Sequence, residues 1–115
     1  MSKAEQLRIL SEPIDDGVLV RPVGEIDLSC ATMLRQELRA AQSGKPARVI
    51  IDLAAVPYMD SSGVATLVEA MQVARRNRSR LVLAALQDKV RSIFEIARLD
   101  MVFTIVATVD EARKA

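Results

Sequence analysis

Val49-Ile50-Ile51-Asp52-Leu53 is the stretch that most narrows what this chain can become. A strand with one wet face alternates apolar and polar residues. This run does not alternate, which predicts a strand buried on both faces. Sheets covered on both faces are mostly parallel, with helices as crossovers. Pro57 is expected to end the strand. Tyr58-Met59-Asp60-Ser61-Ser62-Gly63-Val64 then sets two adjacent hydroxyls and a carboxylate before a strongly periodic amphipathic segment. In open α/β sheets such a handover is where function usually sits. A helix N-terminus offers unpaired N–H groups and the positive end of the macrodipole, so it suits a carboxylate cap and accepts a phosphate.

The remaining segments extend the pattern. Gln6 to Leu10 reads as a short strand, Ser11 to Gly17 as a turn cluster around Pro13, and Val18 to Val23 as a second strand, antiparallel to the first. Gly24-Glu25-Ile26-Asp27-Leu28 leads into a helix capped by Ser29, with Ala31, Leu34, Leu38 and Ala41 as its apolar stripe. Ser43-Gly44-Lys45-Pro46 stops it. A helix from Ser61 to about Arg76 carries Val64, Leu67, Val68, Met71 and Ala74 inward. Leu81 to Ala85 is a buried strand, and Gln87 and Asp88 begin a helix with Val90, Ile93, Phe94 and Ala97 inward. Val102 to Val106 is the last strand, and Thr108-Val109-Asp110-Glu111 is a capping box opening a terminal helix. The predicted order is β-β-α-β-α-β-α-β-α. That is an α/β fold with a mostly parallel mixed sheet, an antiparallel edge strand and about four helices. Residues 1–115 are expected to form a single domain, with its core at about 7–112.

Composition removes several chemistries. Half the residues are hydrophobic but only 3% are aromatic, so the core must be built from Val, Ile, Leu, Ala and Met. There is no histidine, which removes Ser-His-Asp and Cys-His pairs and the commonest zinc sites. The chain has no P-loop and no GxGxxG pattern. A net charge of +1 gives no long-range pull toward nucleic acid or membrane. The first residues, Met-Ser-Lys-Ala-Glu, show no signal peptide, and no apolar run approaches the ~20 residues of a membrane span. The single cysteine, Cys30, has no partner for an internal disulfide. A reduced, cytoplasmic protein is expected.

Asp60-Ser61-Ser62-Gly63 has two readings. As a plain helix start, Asp60 caps, the serines fill the first turn and Gly63 permits close packing. As a functional site, a hydroxyl would act as nucleophile or as phosphoacceptor. A nucleophile needs a general base, for which Lys45, Lys89 or a carboxylate would have to stand in. A phosphoacceptor needs only exposure, because a separate kinase supplies the catalysis. Either Ser61 or Ser62 fits on these grounds. Cys30 reads as a small apolar residue in preference to a reactive thiol. Arg75, Arg76, Arg78 and Arg80 read as a solvated helix end in preference to a grip on an acidic partner or nucleic acid. Met33, Met59, Met71 and Met101 read as core filler, with Met59 also placed to serve as an adaptable contact.

Val49 to Leu53 followed by Met59-Asp60-Ser61-Ser62-Gly63-Val64 resembles the signature of STAS domains, and more narrowly that of bacterial anti-sigma factor antagonists. Gly24-Glu25-Ile26-Asp27 resembles the family's Gly-Glu-(Leu/Ile)-Asp before the first helix. Ile93 to Phe103 resembles its last helix and strand. The likeness runs from about Leu7 to Ala112. Two positions depart from it: Ala65 and Arg98 stand where many members have glycine.

The resemblance implies a binding protein, not an enzyme, with no cofactor and no metal. The unmodified antagonist binds an anti-sigma factor that is also a serine kinase, and the sigma factor is released. The kinase phosphorylates the antagonist, the complex parts, and a phosphatase restores it. The acceptor maps to Ser61, with Ser62 as second choice. Asp27, Met59, Asp60, Ser62 and Gly63 map beside it as near-site or partner-binding positions. A monomer with no direct contact to nucleic acid or membrane is expected. One rival use of the same domain is a phosphorylation-independent adaptor subunit, for instance in a lipid-transport complex at the inner membrane. A nucleotide-binding or hydrolysing domain is the more distant rival.

Overall fold

The computed structural model describes residues 7–115. Gln6, placed in the first strand from sequence, lies outside them. Five strands and four α-helices follow one another as β1 (Arg8–Ile14), β2 (Gly17–Val23), α1 (Ala31–Gln42), β3 (Arg48–Asp52), α2 (Ser61–Asn77), β4 (Arg80–Ala84), α3 (Asp88–Ile96), β5 (Thr104–Val106) and α4 (Val109–Lys114). The sheet order is β1-β2-β3-β4-β5, with β1 antiparallel to β2 and every other pair parallel. This is the expected mixed sheet.

Strands laid down in chain order by right-handed crossovers put their connecting helices on one face. That face holds the larger core: Leu34 and Leu38 of α1, Leu67, Ala70 and Ala74 of α2, and Val90 and Phe94 of α3, packed on Val20, Val49, Ile51 and Leu83. The other face is thinner. Leu19, Ile50, Val82 and Ala84 are covered there chiefly by Ala112 and Val109 of α4. Val49, Ile50 and Ile51 are all at 0% exposure, the burial on both faces that their unbroken apolar run predicts.

The differences from the expected elements have local causes. β1 runs on through Ser11 to Ile14, where a turn cluster was expected, and pairs Pro13 with Val18. An edge strand tolerates proline because one of its N–H rows has no ladder partner. The hairpin turn is reduced to Asp15 and Asp16. Gly17 is required next, since a Cβ there would lie 1.6 Å from the Arg48 carbonyl oxygen. β3 ends at Asp52, five residues before Pro57. The left-handed residue after α1 is Lys45 (φ 53°), not Gly44.

In α2 the buried set is Gly63, Thr66, Leu67, Ala70 and Ala74, while Val64, Val68 and Met71 are half-buried at the core edge. Ala97 is exposed, because α3 ends at Ile96. Leu99–Met101 form a short 3-10 turn, leaving only Thr104–Val106 for β5. Arg98 enters that turn with φ 62°, the left-handed region that favours glycine. Met33 and Met101 are 39% and 79% exposed and so are not core filler, whereas Met59 is fully buried.

Candidate functional site

The site forms where the chain leaves β2 and β3. Beyond their ends the two strands stay in touch. Gly24 N–H donates to the Ala55 carbonyl, Ile26 N–H to that of Tyr58, and Asp60 N–H to that of Ile26, each at 3.0 Å. Ile26 and Met59 form a parallel bridge. Their side chains are buried at 0% exposure beneath the loops. This locks residues 24–28 beside residues 55–60 and sets Asp27 near Asp60.

Asp60 is the N-cap of α2, in extended backbone (ψ −173°). Its Oδ1 accepts from the N–H of Ser62 (2.9 Å), the N–H of Gly63 (3.3 Å) and the Ser62 hydroxyl (2.6 Å). Its Oδ2 reaches across and accepts from Leu28 N–H at 3.2 Å. One carboxylate therefore caps the helix and clamps the neighbouring loop. These donors favour its charged form, and the Ser62 hydroxyl leads in holding its pKa below the ordinary aspartate value.

Asp27 makes a smaller version of the same arrangement. Its Oδ1 accepts from the N–H of Ser29 (3.0 Å) and the Ser29 hydroxyl (2.6 Å). Those bonds, the hydroxyl first, lower its pKa, against the nearby charge of Asp60. Ser29 is thus engaged with Asp27 and does not cap α1, as had been expected. The residue at the N-cap is Cys30, which makes no side-chain cap. Its thiol donates to the carbonyls of Glu25 and Asp27 at 3.5 Å. Burial pushes its pKa up, so it is a small packed group and not a reactive thiolate.

The two serines differ. Ser61 is exposed at the first helical position, and its hydroxyl has no hydrogen-bond partner among the described residues. Ser62 is half-buried and its hydroxyl is committed to Asp60. The pair of exposed hydroxyls expected from the sequence is therefore a single one. Gly63 and Met59 lie beneath the surface. A Cβ on Gly63 would meet Met59 Cγ at 2.6 Å and Ile26 Cγ2 at 2.8 Å. Gly63 lets α2 sit on the Ile26–Met59 bridge, and the Met59 side chain is fully buried there. Sequence reasoning passed over Leu28 and Tyr58, which are 78% and 45% exposed on the two clamped loops. Their signal was available: large apolar residues in loop positions flanking the acidic residues. Among the described residues, no group of three possible metal ligands occurs and no helix is long and apolar enough to cross a membrane.

Known proteins resemble this chain in sequence and fold. A family model for the STAS domain matches residues 9–112. An anti-sigma-B factor antagonist from Listeria monocytogenes is 33% identical over 96 residues, covering 84% of each chain. The crystal structure of an anti-sigma factor antagonist from Mycobacterium paratuberculosis superposes with a TM-score of 0.89 at 26% identity, over 99% of this chain and 97% of that one. The Bacillus cell fate determinant SpoIIAA in its phosphorylated form shares the fold, with a TM-score of 0.73 at 24% identity over 93% and 97%. With the match running from the edge strand into the last helix, the chain belongs to the STAS domain family.

Proposed function

We propose that this protein is an anti-sigma factor antagonist whose hold on an anti-sigma factor is released by phosphorylation of Ser61. The carrying observation is the division of labour between the serines. Ser61 is exposed at the N-terminus of a 17-residue helix, while the Ser62 hydroxyl is held by Asp60. A kinase needs an accessible hydroxyl and a backbone that tolerates the product. The helix N-terminus favours the roughly −1.5 to −2 charge of a phosphate, and Asp60 next to it opposes that charge. The added charge thus acts at the partner surface.

In this reading the protein is a monomeric cytoplasmic binding partner and kinase substrate, not an enzyme. The anti-sigma factor is itself the serine kinase, and a phosphatase resets the cycle. Asp27, Asp60 and Ser62 build the rim around Ser61. The names of the Listeria and Mycobacterium relatives support the antagonist role, and the Bacillus structure is of a phosphorylated member of the same fold.

The test is capture of the binding partner by pull-down, followed by incubation with ATP and phosphopeptide mapping. Ser61→Ala is expected to bind the partner, take up no phosphate and remain bound when ATP is added. Ser62→Ala is expected to be phosphorylated and released. Stoichiometric phosphate on Ser61→Ala would refute the assignment.

A further inference from the structure

We propose that β1 pairs antiparallel with β1 of a second copy of this chain, centred on Leu10, so that two five-stranded sheets join into one. β1 is an outer strand, with β2 on one side and no strand of the sheet on the other. The inference uses no residue around Ser61 and does not depend on how Ser61 is used. Pairing through a seven-residue strand buries less than the ~1,600 Å² of a standard stable interface. The association is therefore weak, and the dilute protein is the monomer of the reading above.

The hairpin geometry sets which backbone groups are free. Only Asp15 and Asp16 form the turn, so the closing pair Ile14–Gly17 exchanges its hydrogen bonds inside the hairpin. Counting back, Glu12, Leu10 and Arg8 turn their N–H and C=O groups toward β2, and Pro13, Ser11 and Ile9 turn theirs outward. In a pair centred on Leu10, Ile9 lies opposite Ser11 of the partner subunit, and each exchanges N–H···O=C bonds with the other. Pro13 falls near the end of the strand, where it withholds only its own N–H.

The side chains choose a second copy as the occupant. Arg8, Leu10 and Glu12 alternate onto one face of the sheet, and Arg8 and Glu12 stand two residues either side of Leu10. Antiparallel pairing about Leu10 therefore sets Arg8 opposite Glu12 of the partner subunit, twice over, with Leu10 against its own copy between them. Leu10 is 52% exposed, because the cover that α4 gives this face reaches Ile14 and not Leu10. Among the described residues neither Arg8 nor Glu12 has an ion-pair partner within the chain. Sliding the register by two residues either way sets Leu10 against Arg8 or Glu12 instead, so the charges also fix the register. Edge strands are commonly guarded by charge, and a guard of one sign repels its own copy. This edge carries both signs, placed symmetrically. On the opposite face an apolar groove of about 310 Å³ runs beside the strand, walled by Pro13, Val18, Ala40 and Ala41. Ile9 of the partner subunit, opposite Ser11, comes over that groove.

The experiment is sedimentation equilibrium of the full chain from about 5 to about 500 µM, a range that brackets weak pairing. The average mass is expected to rise from that of one chain toward that of two, and the Ile9 and Ser11 amides to exchange more slowly at the upper concentration. Arg8→Glu and Glu12→Arg, both at exposed positions, are each expected to keep the native circular dichroism and to pair about tenfold more weakly, since each sets like charges opposite one another. An equal mixture of the two variants is expected to pair again, because every charge in the mixed dimer then faces its opposite. A mass unchanged to about 500 µM, single variants that pair as tightly as the parent, or a mixture that pairs no better than its components would overturn the proposal.

Discussion

Asp60 holds the hydroxyl of Ser62 and leaves that of Ser61 exposed, and the proposed choice of Ser61 rests on that difference. The same carboxylate links the site to pH. Asp60 and Asp27 are both held below the ordinary aspartate value by hydrogen bonds to their charged forms. A carboxyl whose folded pKa is the lower one adds stability above its unfolded value of ~3.9. That stability is lost as pH falls through the folded value. The urea midpoint is therefore expected to decline as pH drops below about 4. Asp60→Asn, which retains a capping oxygen, is expected to flatten part of that decline. Identical acid profiles for the variant and the parent would exclude Asp60 as a contributor.

Gly63 gives a second prediction at this scale. Alanine is the better helix former by about 1 kcal/mol. Here its methyl would press on Met59 and Ile26 at under 3 Å, and overpacking of that kind costs ~1–3 kcal/mol. The clash outweighs the propensity, so Gly63→Ala is expected to lower stability by about 1 kcal/mol, read from urea unfolding. A stabilised variant would show that the bridge beneath α2 yields freely.

Among elements, those with strong periodicity were readable in advance, and those defined by distant partners were not. β3 and α2 carry their own patterns: the start of β3 and both ends of α2 follow within a residue or so, while Pro57 misled as the stop of β3. β1 was read short because Pro13 looks like a turn until its neighbour Val18 is known. β5 was read long because Val102 is apolar, although it is 40% exposed beside a 3-10 turn. The clamp between residues 24–28 and 55–60 leaves no periodic trace at all. The Gly24-Glu25-Ile26-Asp27 resemblance pointed to it, while its hydrogen bonds belong to tertiary pairing. Likewise, helical spacing places Met33 on α1 but does not tell what lies over it, and Met59, in the bridge before α2, has no helical position to read.

α4 was read from its cap, and the cap holds with a shift of one residue. Thr108 Oγ1 accepts from Glu111 N–H at 3.0 Å, while Glu111 Oε1 accepts from Ala107 N–H and not from that of Thr108. In a six-residue helix the cap is a large share of the local stabilisation. Thr108→Ala is expected to cost about 1 kcal/mol, with α4 amides exchanging faster than those of β3 and β4. Uniform change across all amides would argue that α4 does not open by itself.

At the scale of the molecule, the two faces of the sheet are unequally covered and the site lies on the better-supported side. α2 packs on the larger core, and its N-terminus is pinned to the loop before α1. A negative charge at Ser61 meets a favourable dipole worth ~0.3–1 kcal/mol at an exposed helix start and an opposing carboxylate next door. The terms largely cancel. Ser61→Asp is therefore expected to change unfolding stability by less than about 1 kcal/mol while weakening partner binding. Loss of folding in that variant would mean that the switch works through the fold and not through the surface. On the thinner face, Arg48 does the anchoring: its guanidinium pairs with Asp16 at 3.0 Å and donates to the carbonyls of Ala112 and Ala115.

The sheet order matters for how the protein is made. Because β1 to β5 lie side by side in the order in which they are synthesised, each strand leaving the ribosome finds its neighbour already present. No strand has to be inserted between two others. Domains built this way avoid long waits with unpaired strands, the period in which nascent chains aggregate. The loops and helix start around Ser61 emerge before the last two strands. The cover of the thin face, α4, follows β5 in the chain, so that face is closed only after all five strands have been made.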